Sequence, residues 1–259
     1  MRTRAFVLTG VALLAFSAAH ARINHLEPWS PGYDAGVPDR ALSHALNVFI
    51  GNDAQGVDAT EFAYTLTTPV RGNWELGGGV SYLSYDAQGA SESGLADLKL
   101  GAKRSLDKGF LPASWKGSLE AGLTLPTGDD DKGLGAGGFG VFGGGGLSFP
   151  IEAVRGYLQA GYTVYTKGSD TRWGNTLRFV AGAEYVLSDE WLLTGDLRLF
   201  DHARDEINGF KSADAAKEAY LAPGAVWRPA DSPIRLQGTL LLGLTDDAFD
   251  LGFQLGLRF

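Results

Sequence analysis

The sequence contains no cysteine, which excludes disulfides, thiol catalysis and cysteine-ligated zinc together. Past the first 21 residues it also lacks any uninterrupted apolar run of the about 20 residues that a membrane-spanning helix needs. That absence does not exclude a membrane. Every second residue of a barrel strand faces away from lipid, so a mean hydropathy of -0.05 is compatible with spanning by strands. Basic residues are in deficit, 22 Lys and Arg against 30 Asp and Glu, which makes nucleic acid a poor partner because its binding is dominated by basic contacts to phosphate. Only four histidines are present. Outside the first 21 residues they are His25, His44 and His202, and no Ser–His–acid set can be assembled by spacing: Ser43 and His44 point to opposite faces if they lie on a strand, and His202 falls at a predicted outer loop. The chain is expected not to be an enzyme and to need no cofactor or metal.

Glycine, in contrast, is abundant: 37 of 259 residues, where about 7% is usual. In strands glycine marks bends and close approach, so the excess fits a curved sheet. Residues 1–21 read as a secretory signal, with Arg2 and Arg4 as its charged start, Ala5 to Phe16 as the apolar core and Ala19-His20-Ala21 as the cleavage site. Cleavage there would move the formal charge from -8 to -10. Residues 22–40 contain Pro28, Pro31 and Pro38 without periodicity and read as an irregular periplasmic or lumenal segment.

The remainder, residues 41–259, alternates with period two. At its end, Phe249, Leu251, Phe253, Leu255, Leu257 and Phe259 share one strand face, while Asp250, Gly252, Gln254, Gly256 and Arg258 share the other. Eleven residues suit a tilted bilayer crossing, which takes about nine to eleven. The carboxy-terminal Phe259 resembles the closing strand and export signal of bacterial outer-membrane barrels, to be read by the barrel-assembly machinery. Eleven further strands are predicted, at Ala45–Ile50, Ala59–Thr68, Trp74–Tyr82, Leu95–Lys103, Trp115–Thr127, Gly138–Phe149, Tyr157–Thr166, Thr176–Leu187, Trp191–Phe200, Tyr220–Arg228 and Ile234–Leu244. Pro223 makes the tenth the weakest. Links at Val70–Asn73, Ser188–Glu190 and Pro229–Pro233 are short. Those at Asp86–Gly94, Gly128–Gly137, Gly168–Asn175 and Asp201–Ala219 are longer, and Ser212 to Glu218 looks able to form a short helix. Alternating short and long links with an even strand number are the pattern of an all-β, transmembrane antiparallel barrel of about 12 strands, set in lipid and lipopolysaccharide of a Gram-negative outer membrane.

With the apolar faces turned to lipid, the charges point inward: Glu75, Asp97, Lys99, Lys103, Lys116, Glu120, Arg178, Glu184, Asp196, Arg198, Arg235, Asp250 and Arg258. Their mixed signs fit a polar solute pathway, or an ion-paired interior that only stabilises the wall. Gly135-Ala-Gly137-Gly-Phe-Gly140 matches the dinucleotide fingerprint literally, but the helix that the fingerprint needs does not follow it. Asp129 to Asp131 lack the spaced ligands of a calcium loop and read as a solvated turn.

Ser-Gly-Leu-Ala-Asp-Leu-Lys-Leu-Gly-Ala-Lys at 93–103, followed by Ala-Gly-Leu-Thr-Leu-Pro-Thr-Gly at 121–128, resembles the outer-membrane transporter family named for the MetA pathway of phenol degradation. The chain departs from that pattern at Arg104-Ser-Leu, where an aromatic residue is expected. The resemblance implies a barrel admitting small solutes, aromatic or hydrophobic ones among them. Passive uptake of such a solute through the lumen is the expected function. The competing expectation is a structural or adhesive barrel with a closed lumen.

Overall fold

The computed structural model describes residues 42–52, 56–70, 73–87, 90–106, 109, 111–168, 171–207, 210–211 and 215–259. The expected signal and the segment 22–40 lie outside them. Within them, one antiparallel meander closes on itself. Its strands are β1 (Ser43–Asn52), β2 (Val57–Pro69), β3 (Trp74–Ala87), β4 (Ala90–Leu95 and Leu98–Ser105), β5 (Lys116–Leu125), β6 (Gly140–Ile151), β7 (Val154–Tyr165), β8 (Thr176–Val186), β9 (Trp191–His202), β10 (Ala216–Trp227), β11 (Arg235–Gly243) and β12 (Leu251–Arg258). Both parts of β4 pair with β3, so the wall has twelve strands. The ring is sealed where β12 runs antiparallel to β1, from Ala45 opposite Arg258 to Asn52 opposite Leu251. Phe259 extends this seam: its N–H donates to the His44 carbonyl at 3.0 Å and its carbonyl accepts from the His44 N–H at 2.8 Å.

The outside is apolar and exposed, with Leu123, Val141, Leu197, Leu221, Phe253 and Leu255 among its residues. Aromatic residues collect toward its edges, where amphipathic rings suit the membrane interfaces. At the amino-terminal edge Trp115 stacks on Phe149 at 5.0 Å, Trp191 meets Trp227 at 6.4 Å and His44 stacks on Phe259 at 5.3 Å. Arg104 lies with its guanidinium 5.6 Å from the Trp74 ring, a cation–π contact that gives the expected aromatic position a cationic occupant. The sequence and this band together make the chain an outer-membrane β-barrel.

Several expectations are corrected. The link Asp86–Gly94 is mostly strand: β3 and β4 pair out to Ala87 opposite Ala90. The fourth strand is therefore longer than predicted and is broken at Ala96-Asp97. Tyr82 opposite Leu95 and Gly79 opposite Lys99 differ by one residue in register, a β-bulge that puts Leu95 outward above it and Leu98 and Leu100 outward below it. Pro223 does not shorten β10, which has twelve residues. It only interrupts the ladder to β11 between Leu221 and Gly224, with the register unchanged on both sides, because the missing N–H removes one ladder bond there. The predicted helix at 212–218 fails where it is described, since Ala216 to Glu218 open β10. The last strand begins at Leu251, and Phe249 is buried inside rather than facing lipid.

Cysteine substitution at Leu123 and Leu255 should leave those positions unreactive to small water-soluble thiol reagents in membranes, while Lys at either should cost about 2 to 4 kcal/mol of folding stability near the midplane, measured by urea unfolding in lipid. Phe259→Ser should reduce outer-membrane yield and heat-modifiable mobility by more than one exposed side chain explains, because the residue ends the sealing strand.

Candidate functional site

A barrel of twelve strands is too wide to be filled by short side chains and narrower than an open porin, so what lies across its interior decides what it can admit. One row of cross-strand partners climbs the inner wall: Glu75, Lys103, Glu120, Gly144, Gly161, Arg178, Phe200 and Glu218. Lys103 Nζ lies 3.8 Å from Glu75. Arg178 Nη2 donates to Glu120 Oε1 at 3.1 Å, although β5 and β8 are three strand spacings apart, about 14 Å. The contact is possible because the two intervening positions are Gly144 and Gly161. A Cβ at Gly144 would stand 3.3 Å from Glu120 Oε1 and one at Gly161 3.4 Å from Arg178 Nη2. Both side chains lie flat along a groove two glycines wide.

The device recurs one step further round. Tyr157, Gly182 and Asp196 are cross-strand partners, and the Tyr157 hydroxyl passes over Gly182 to donate to Asp196 Oδ2 at 2.9 Å. A Cβ on Gly182 would come within 2.4 Å of the Tyr157 ring and hydroxyl. Asp196 in turn accepts from Arg198 Nε at 2.6 Å, and Arg198 Nη1 donates to Gln254 Oε1 at 3.1 Å. This chain of bonds links β7, β9 and β12. Arg155 Nε donates to Glu184 Oε2 at 2.8 Å. The guanidiniums at 155, 178 and 198 and the ammonium at 103 are thus each matched by a carboxylate. Such pairing offsets the cost of removing the charges from water and leaves little net local field.

The placement of the expected pathway residues is therefore uneven. Glu75, Asp97, Lys103, Arg178, Glu184, Asp196 and Arg198 are buried on the inner side. Lys99, Glu120, Arg235 and Arg258 are half-buried there, and Arg258 Nε donates to Ser43 Oγ at 2.8 Å. Lys116 has inward parity but is the first residue of β5, and its side chain is exposed at the rim. Asp250 precedes β12 and is exposed in the turn. Asp97 sits in the β4 bulge, where it accepts from the N–H of Gly128 at 2.9 Å and of Ala136 at 2.8 Å. Its task is to hold a loop.

Other inward residues escaped the sequence reading. Glu61 is buried on β2, and the same alternation that put Phe62, Tyr64 and Leu66 outward could have found it. Arg155 and Glu218 lie just beyond the predicted ends of their strands. His202, expected at a loop, is the buried last residue of β9. Its Nε2 is 3.3 Å from Glu218 Oε1 and its Nδ1 3.0 Å from Thr176 Oγ1. Tyr220 donates to Glu218 Oε2 at 2.7 Å and accepts from the Phe249 N–H at 3.1 Å. The Tyr220 hydroxyl thereby ties Glu218 to the backbone of the β11–β12 turn.

At the end away from the Trp191–Trp227 pair, the interior turns apolar. Phe49, Val57, Leu83, Tyr85, Tyr220 and Leu241 from the wall form one buried cluster with Leu134, Ala248 and Phe249 from the β5–β6 and β11–β12 connections. Phe49 and Phe249 meet edge-on at 5.6 Å.

Residues 47–259 match the protein family described as "Putative MetA-pathway of phenol degradation". The chain belongs to this family. Among solved structures it is similar to a COG4313 outer membrane channel from Pseudomonas putida F1, with TM-score 0.71 and 17% identity over 89% of this chain and 98% of that one. The KdgM porin follows at TM-score 0.54 and 8% identity over 84% and 98% of the two chains, and the NanC porin at 0.50 and 11% over 85% and 99%. At these identities the likeness is one of fold. No curated protein matches the sequence.

Gly182→Val should displace Tyr157 from Asp196 and lower stability by about 1 to 3 kcal/mol through the buried polar atoms left unmatched. Gly195→Ala, at a glycine with nothing within 4 Å of a new Cβ, should leave the urea midpoint in detergent unchanged.

Proposed function

We propose that this family member is a passive outer-membrane channel for small solutes, and that it favours hydrophobic or aromatic compounds. The observation that carries the reading is the contrast within the lumen. The inward charges at Lys103, Arg155, Arg178 and Arg198 are matched by carboxylates of the wall, so they offer an ion little uncompensated attraction. The apolar cluster around Phe49, Tyr220 and Phe249 instead closes the outer end with packed rings and aliphatic side chains, and a solute that parts it would meet the composition usual for pockets that take small apolar ligands. Uptake through it would need no cofactor and no energy-coupling part. The solute would meet the outer cluster first, then the wall that carries Lys99, Glu120, Arg235 and Arg258.

The closed, structural or adhesive barrel is supported by the same ion pairing, since a paired interior stabilises a wall whether or not anything passes. The two readings separate by permeation. Proteoliposomes carrying the barrel should swell faster in aromatic acids than in sugars or amino acids of similar mass, and Phe249→Ser should narrow that preference. Equal, background rates for the whole panel would turn the assignment to the structural barrel.

A further inference from the structure

We infer that Leu134 sets the aperture of the outer mouth and that Asp97 is the residue that positions it; this rests on the channel reading above. The β5–β6 connection does not stand away from the barrel. It folds inward, and Leu134 at its turn is buried among Tyr85, Leu83 and Phe249. A Cβ at Gly94, an inward position of β4, would lie 2.7 Å from Leu134 Cδ1, so the leucine rests on bare backbone of the wall.

The connection is held at both its ends by one carboxylate. Asp97 Oδ1 accepts from the Gly128 N–H and Oδ2 from the Ala136 N–H, gripping the loop near its start, well before Leu134, and again just after Leu134. A Cβ at Gly135 would stand 2.5 Å from Asp97 Oδ1, and one at Gly128 2.4 Å from the Leu134 carbonyl oxygen. Only glycines let the two loop ends come this close to each other and to the carboxylate. Thr127 adds a second tie, its hydroxyl accepting from the Leu98 N–H at 2.9 Å and donating to the Ala96 carbonyl at 3.4 Å. The Tyr85 hydroxyl donates to the Lys132 carbonyl at 2.5 Å. The β4 bulge is what makes the grip possible: by inserting one residue it turns the Asp97 side chain inward above Lys99 while Leu95 and Leu98 stay in the apolar band.

This assigns a use to Gly135-Ala-Gly137, whose resemblance to a nucleotide fingerprint is incidental, and it takes Asp97 out of the set of residues that a solute would meet. Removing the carboxylate frees both loop ends together, whereas removing any other tie frees one.

The test exploits the absence of native cysteine. In the full barrel Gly94→Cys with Leu134→Cys should form a disulfide on mild oxidation, and Asp97→Ala in that background should cut the yield about tenfold, with heat-modifiable mobility intact, because lumen and loop changes do not disturb the lipid-facing wall. Reduced Asp97→Ala and Leu134→Ala should each raise permeation of a small sugar such as arabinose several-fold over wild type. Oxidation of the triple variant should return whatever cross-linked fraction forms to the wild-type rate. Asp97→Asn, which keeps one acceptor, should fall between. A cross-link yield and sugar rate in Asp97→Ala equal to those of the parent would overturn the assignment of Asp97. A loosened loop with arabinose permeation unaltered, while aromatic acids pass as before, would overturn the role of Leu134 and leave the channel standing. No permeation by any solute through wild type or variants would remove the channel and the aperture with it.

Discussion

In the hydrocarbon of a bilayer no water is available to an open peptide group, so a spanning sheet must close and pair every strand on both edges. That constraint fixes much of this chain. It makes the β12–β1 seam obligatory, and it explains why the ladder runs past the last side chain of β12 to the backbone of Phe259, paired on both sides of His44. It also limits how the wall can be modified. Pro223 is tolerated because its missing N–H interrupts only the ladder toward β11, while the pairing to β9 continues with Pro223 opposite Gly195.

Closure forces a second problem inward. A ring of twelve strands turns about half of its side chains inward, and the charges buried there need partners that their own strand neighbours do not always supply. The glycine rows supply reach. At Gly144 and Gly161 the wall is stripped to backbone so that Arg178 and Glu120 can meet across it, and at Gly182 so that Tyr157 can reach Asp196. Each glycine costs conformational entropy and some strand propensity, and what offsets that cost is an ion pair or hydrogen bond between strands that are not neighbours. Such bonds brace the ring along chords, which the backbone ladder cannot do.

The sequence was legible wherever one rule acted alone. Lipid contact demands large apolar residues at every second position of a strand, so the strand count, the outward faces and the inward parity of Glu75, Lys103, Glu120, Arg178 and Arg198 followed from alternation. Legibility failed where the interior imposed its own demands. Phe49, Tyr85, Tyr157, Tyr220 and Leu241 are large and point inward, against a rule that equates large and apolar with lipid. Phe249 lies in a turn, yet its spacing continues the β12 pattern in register, so nothing local marks where the strand stops. The β4 bulge shifts the phase by one residue, and the run from Leu95 to Lys103 reads as a single strand only because Ala96 is small enough to pass for either face. His202 and Glu218 needed two strand ends placed to within two residues, the least certain feature of any reading from periodicity.

The stretches that carry the family resemblance, residues 93–103 and 121–128, acquire a physical meaning together. They are far apart in sequence, yet the structure brings them to one place: Gly94 under Leu134, Asp97 on the N–H groups of Gly128 and Ala136, and the Thr127 hydroxyl bridging Leu98 and Ala96. Leu98 alone of these is an outward apolar residue, and it takes part through its backbone N–H. What they share is a bulge that aims one carboxylate and a loop whose glycines let it be gripped. In this chain the two stretches together fold an outer connection into the mouth of the barrel.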